Sequence, residues 1–178
     1  MAQPPHQLDL VIDFVNTLDR EKDTDELAGP GLEDWFTTRK LYAPRTRSLD
    51  DRDRGQAIGL REALRALMLT NNGGTPDARA GGELERIARA GELGIHFATD
   101  GAGTLAPSSQ EFAGSLARLL VPVARASADG TWQRAKACRA NDCQWAFYDR
   151  SRNRSGVWCE MAVCGNRTKV RAYRERTS

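Results

Sequence analysis

CRANDCQWAFYDRSRNRSGVWCEMAVCGNR, Cys138 to Arg167, contains all four cysteines of the chain, spaced Cys138-x4-Cys143, fifteen residues, then Cys159-x4-Cys164. Two short-range pairs joined by a spacer are what a tetrahedral metal site needs. Each pair offers two thiolates from one tight turn, and the spacer lets the chain fold back to bring the pairs together. Four sulfurs select zinc or iron, and a small site with no redox motif reads as one structural zinc ion. Four protein ligands also leave no open position for a catalytic water, so the pattern argues against an enzyme. The x4 gap is wider than the usual x2, and a disulfide framework or independent buried thiols are the alternatives. The amino-terminal MAQPPHQLDL has no secretory pattern. The expected address is therefore the reducing cytoplasm, where clustered cysteines hold metal more often than cystines.

Energetics point the same way. After Asp129 the large apolar stock is nearly exhausted by Trp132, Trp145, Phe147, Tyr148, Trp158, Met161, Val163 and Val170. So small a core cannot offset the chain entropy. Zinc binding, on the order of 10–16 kcal/mol in finger peptides, can. The module is expected to comprise a hairpin and a terminal helix. Trp145 and Phe147 would face one way and Ala146 and Tyr148 the other. RSRNRSG would form the tip or flank leading to VWCEM, with Arg150, Arg152 and Arg154 aligned on one side if extended. From Asn166, a suitable cap, a helix would carry Arg167, Arg171 and Arg174 as a basic stripe, with Val170 and Tyr173 docking on the metal core.

Outward from this stretch, the charge divides. Residues 134–178 carry a net +7 and residues 1–133 a net −5. A basic end beside an acidic body suggests a partner rich in phosphate. Arginine alternating with Ser and Asn suits phosphate oxygens and guanine edges. The bland alternatives are support of the metal cluster and simple solubility.

The larger part, residues 1–130, reads as a mainly helical domain, and 131–178 as the cysteine module. The fold class is α+β, mainly α. Leu8–Asp19 reads as a strand passing into a helix, and EKDTDELAGPG as a loop. LEDWFTTRKLYA reads as a short helix stopped by Pro44. Ala57, Leu60, Leu64, Leu67 and Met68 recur at helical spacing, with Ser48 or Asp50 as cap, NNGG as stop, and Arg61, Glu62 and Arg65 on other faces. TPDARAGGELERIARAG is a further helix, with Pro76 in its first turn. LGIHFATDGAGTLAPS forms a hairpin. Phe112, Leu116, Leu119, Leu120 and Val123 share a helix face, in a segment that Pro122 should kink. Within this part His6, His96, Asp9 and Asp13 are the only hints of chemistry, and each is more simply a solvated or capping residue. No run of 18 apolar residues is present, so no membrane span is expected.

The segment from Cys138 to Arg176, with CGNR at Cys164, Gly165, Asn166 and Arg167, resembles the CGNR zinc-finger family. DFVNTL at Asp13–Leu18 is similar to the opening of its amino-terminal ABATE domain. The resemblance implies a bacterial, stress-linked transcription regulator, with zinc on Cys138, Cys143, Cys159 and Cys164, DNA bound by the zinc module, and an amino-terminal sensor domain. Together these readings make a zinc-dependent DNA-binding protein the first expectation. Arg150, Arg152, Arg154, Arg167, Lys169, Arg171 and Arg174 are its candidate contacts, with Arg167 shared between DNA and metal cluster. The alternative is a zinc-stabilised regulator that binds a protein or small-molecule effector through Trp145, Tyr148 and Trp158 without touching DNA. A homodimer would double the contact area.

Overall fold

The computed structural model describes residues 7–43 and 47–177, without the side chains of 171–173 and 175–177. His6 and Pro44, and the side chains of Arg171 and Tyr173, therefore lie outside the described residues.

Leu8, Val11, Phe14 and Val15 are fully buried, while Leu10 and Ile12 are only partly so. That is a helical face, and it corrects the expected order. Helix α1 (Asp9–Val15) comes first, and the strand β1 (Leu18–Asp19) follows it, paired antiparallel with β2 (Thr24–Asp25). A run of apolar residues fits both periods, and here burial against other helices selects the helical one. The segment expected to be a plain loop thus contributes a strand.

Helix α2 (Gly31–Thr38) stops before Pro44 is reached. Lys40 turns left-handed at φ 56°, and the N–H groups of Leu41 and Tyr42 fold back onto the Phe36 carbonyl. Helix α3 (Asp51–Asn71) is the long central element. Asp50 caps it through a capping box: its side chain accepts the Asp53 N–H, and the Asp53 carboxylate accepts the Asp50 N–H. This reciprocal pair satisfies two groups that a helix start would otherwise leave open. Helix α4 (Ala78–Ala90) is capped by Asp77, so Pro76 precedes the cap rather than lying in the first turn. Strands β3 (Leu93–Phe97) and β4 (Gly103–Pro107) form the expected hairpin, and α5 (Phe112–Ala128) runs unbroken past Pro122.

The core is built from one face each of α1, α2, α3 and α5, with Ile87 of α4 joining them. Its centre is aromatic. Phe36 meets Trp35 at 4.9 Å, Phe112 at 4.9 Å and Phe14 at 6.0 Å between ring centroids, edge to face. Such rings bury large apolar area and add an orientation preference.

The cysteine segment begins with a 3-10 turn (Trp132–Arg134) and β5 (Ala135–Ala137). Strand β6 (Ala146–Tyr148) pairs antiparallel with β5, Ala137 opposite Ala146. The expected hairpin between β6 and the Trp158 segment does not form. The x4 loop between Cys138 and Cys143 brings β5 alongside first. Ala135, Ala137 and Ala146 are buried in the same core cluster as the helices, so their small side chains let this hairpin lie directly on α1 and α3. A π-turn (Met161–Gly165) then runs into α6 (Asn166–Thr177). Among the described residues, no helix is long and apolar enough to cross a membrane.

Candidate metal centre

The β5–β6 hairpin places the first cysteine pair. Cys138 follows β5 directly, and its N–H donates to the Trp145 carbonyl at 2.9 Å. Cys143 sits in the intervening turn, its N–H donating to the Ala140 carbonyl at 2.9 Å. The next residue, Gln144, is left-handed at φ 52°, a conformation that costs a residue with a side chain about 1 kcal/mol or more. Arg65, 1% exposed, compensates: its guanidinium donates to the Gln144 carbonyl at 2.9 Å and the Val15 carbonyl at 2.7 Å. Cys159 precedes the π-turn and Cys164 lies within it. Gly165 closes that turn because a Cβ there would collide with the Met161 side chain and lie 3.0 Å from the Trp158 ring.

All four sulfurs lie within 4.8 Å of one another. Cys143 and Cys159 are 3.6 Å apart, Cys159 and Cys164 3.7 Å. With zinc–sulfur bonds of about 2.3 Å, a tetrahedral site requires sulfurs about 3.8 Å apart. The cage therefore fits a zinc ion, and all four cysteines are free rather than joined as cystines. Burial pushes the Cys143 thiol up to about 12 and raises Cys159 further, with the Cys143 thiol adding to the latter. Burial raises Cys138 too, but N–H groups of Cys159 and Ala140 outweigh it and bring that thiol below its ordinary value. So compact a set of sulfurs resists full ionisation unless a cation compensates, as expected of a metal cage.

The basic residues divide into two groups. Arg167 turns inward. It pairs with Glu21 of the β1–β2 loop and donates to Cys164 Sγ at 3.4 Å, with Asp142 at 3.9 Å. Glu21 foremost, then Cys164, hold its guanidinium above its usual value. Arg150, Arg152 and Arg154 do not line one side of a strand. They lie exposed on an irregular turn, Arg154 itself left-handed at φ 53°. Lys169 and Arg174 are exposed on α6. Asn166 donates to the Ala162 carbonyl at 3.0 Å instead of capping α6, because the π-turn already leads into the helix. Val170 does not dock on the metal core: it is 50% exposed.

What shapes the arginine turn is a buried ion pair. Lys136 Nζ lies 2.7 Å from Asp149 Oδ2, both side chains at most 6% exposed. The ammonium also donates to the carbonyls of Arg154 at 2.6 Å and Gly156 at 2.9 Å. The N–H groups of Ser151 and Gly156 donate to the Asp149 carboxylate. Gly156 must be glycine here, since a Cβ would lie 2.9 Å from that carboxylate. Burial alone would raise the Asp149 carboxyl, but Lys136 and these N–H groups hold it far below the usual range.

Three asparagines fasten this assembly to the helices. Asn16 exchanges two hydrogen bonds with the Ala146 backbone, at 2.7 and 2.9 Å. Asn71 donates to the carbonyls of Trp132 and Ala135, and buried Asn72 to those of Ala137 and Val157. Arg65, Lys136, Asp149 and these asparagines carry no spacing signature, because their partners are remote in sequence. The signal available was the buried position of Arg65 on the α3 face that includes Ala57, Leu64 and Met68. Exposed Arg139, next to Cys138, is a further basic candidate that the chosen set omitted. His96 stays on the surface of the β3–β4 hairpin, 3.1 Å from the Ala106 carbonyl.

Two family models match the chain. The CGNR zinc finger covers residues 134–177. The ABATE domain, described as "Putative stress-induced transcription regulator", covers residues 8–130. Among curated proteins none matches. With the ABATE match spanning more than half of its length, the chain belongs to the ABATE family and carries a CGNR zinc finger, whose clustered cysteines fit one structural zinc ion.

Proposed function

We propose that this protein is a cytoplasmic, zinc-dependent DNA-binding transcription regulator in which Cys138, Cys143, Cys159 and Cys164 hold the ion. The observation that carries the reading is the relation of α6 to the cage. This helix bears Arg167, Lys169, Arg171, Arg174 and Arg176 against the single acid Glu175. It continues directly from the π-turn containing Cys164, and Lys169 and Arg174 on it are exposed. In this reading metal and turn aim the helix and its positive charge, and the exposed Arg150, Arg152, Arg154 and Arg139 add to it. Arg167 acts inward, orienting Cys164 through its N–H···S bond.

Titration with random-sequence duplex DNA tests this. Neutralising five to eight phosphates gives log affinity against log salt a slope of roughly −4.5 to −7, and a flat response removes the reading. Lys169→Ala should reduce the slope by about one while leaving zinc content unchanged. Arg167→Ala should instead lower zinc affinity.

One observation favours a sensor role for the amino-terminal domain. A cleft of about 430 Å³ lies where that domain meets the zinc finger, lined by Asp13, Asn16, Glu26, Arg39 and Trp145 among others. A small-molecule effector bound there would touch Trp145, whose carbonyl accepts the Cys138 N–H. Quenching of tryptophan fluorescence that is absent in Trp145→Phe would support it.

A further inference from the structure

The four cysteines are not equivalent. Cys138, Cys143 and Cys164 are at most 4% exposed, whereas Cys159 is partly open. Cys159 and Cys143 line a pocket of about 180 Å³ together with Trp145, Asp19 at the end of β1, and Glu21 and Lys22 of the loop to β2. Cys138 and Cys164 do not line it.

Their hydrogen bonding differs as well. Cys164 Sγ accepts an N–H from Arg167 at 3.4 Å. Cys159 Sγ lies 3.6 Å from the sulfur of Cys143 and 3.7 Å from that of Cys164. N–H···S bonds draw electron density from a metal-bound thiolate and blunt its nucleophilicity. Cys159 therefore combines the best access of the four with a second sulfur only 3.6 Å away, and exposure beside a resolving cysteine is what selects a thiolate for reversible oxidation.

We propose that Cys159 is an oxidation site for hydrogen peroxide and that Cys143 is its resolving partner. The Cys159 thiolate attacks one peroxide oxygen. The O–O bond breaks, hydroxide leaves, and Cys159 becomes a sulfenic acid. The Cys143 thiolate then attacks the Cys159 sulfur, forming an S–S bond as the S–O bond breaks and a second hydroxide leaves. Two thiolates lose two electrons and one peroxide gains them. Two of the four sulfurs are then no longer ligands, so the ion is released and the π-turn that aims α6 loses its anchor. The inference rests on the four-cysteine zinc reading above but not on DNA binding.

The test uses the zinc-loaded full chain treated with hydrogen peroxide. Zinc release is followed with a chromogenic chelator, and thiols are mapped by alkylation and peptide mass spectrometry. The expected result is release of one zinc per chain with a Cys143–Cys159 disulfide, reversed by dithiothreitol and added zinc. Cys159→His, which keeps a nitrogen ligand but removes the nucleophile, should slow release at least about tenfold. Zinc retained under peroxide overturns the proposal. So does a first disulfide joining Cys138 to Cys164, or release from Cys159→His at the wild-type rate. Should that variant not hold zinc, wild-type peptide mapping decides alone. A purified chain without zinc overturns both this proposal and the metal reading beneath it, whereas a zinc-loaded, peroxide-inert chain overturns only this one.

Discussion

The helical part and the cysteine-rich part of this molecule are held together by different physics. In the first, Phe14, Trp35, Phe36, Leu60, Leu64 and Phe112 exclude water from a shared centre, and the charges at its edge are secondary. In the second, only the small β5–β6 side chains Ala135, Ala137 and Ala146 join that centre, and the rest of the interior is a set of sulfurs, the Lys136–Asp149 pair and hydrogen bonds from asparagines. Apolar burial is non-directional and tolerates change of shape. A metal cage and a buried ion pair are directional, and fail when one partner goes. The difference teaches why a basic surface can be carried on so little core: geometry fixed by ligands replaces geometry fixed by packing.

The strongest attempt to break this comparison is removal of zinc. Zinc binding worth on the order of 10–16 kcal/mol sets the scale. A chelator should render residues after about Asp129 protease-sensitive while far-ultraviolet dichroism retains most of its helical signal. Loss of the entire helical signal would mean that the two parts do not differ in this way. Phe36→Ala should do the reverse. It costs about 3–5 kcal/mol, lowering the melting temperature of the helices in chemical or thermal denaturation. Asp149→Ala leaves the Lys136 ammonium buried without its counter-charge, at about 3–5 kcal/mol, and its effect should be confined to the arginine turn and zinc retention. Amide exchange at Ser151 and Gly156, whose N–H groups bond that carboxylate, reports it directly.

Smaller effects sharpen the seam between the parts. Asn72→Ala strands the carbonyls of Ala137 and Val157, costing about 1–3 kcal/mol and speeding zinc loss to a chelator without altering the far-ultraviolet spectrum. The least is a pH effect in the helical part. Burial raises Asp25, but the bidentate Arg61 guanidinium outweighs it and lowers its carboxyl below 3.8. A depressed carboxylate contributes stability that is present above the unfolded value and lost as pH falls through the folded one. The difference between wild type and Asp25→Asn should therefore be constant near neutrality and shrink below about pH 4. Denaturant midpoints across that range measure it, and a difference that grows on acidification refutes the assignment.

Local patterns were legible where the chain solves its problem locally. The two cysteine pairs each sit in one turn, so spacing alone announced the cage. Asp50, the apolar face of α3 and α5, and the β3–β4 hairpin were equally readable. Illegible were choices made between distant segments. Leu8–Val15 fits two periods, and packing against other helices selects one. Arg61 and Arg65 look like surface residues until Asp25, Val15 and Gln144 arrive as partners. Arg150, Arg152 and Arg154 were expected at the tip or flank of a hairpin with the Trp158 segment, because nothing nearby reveals that β6 takes β5 as its neighbour and that Lys136 and Asp149 gather the following turn.

The amino-acid sequence by itself determined the ligand set, the division of charge and the helical periodicities, since each depends on residue type and short-range spacing. Only the tertiary structure decided which charges face inward, which strand pairs with β6 and which sulfur is left accessible. Burying a charge or a sulfur is favourable or costly according to the groups that surround it, and those groups come from far along the chain.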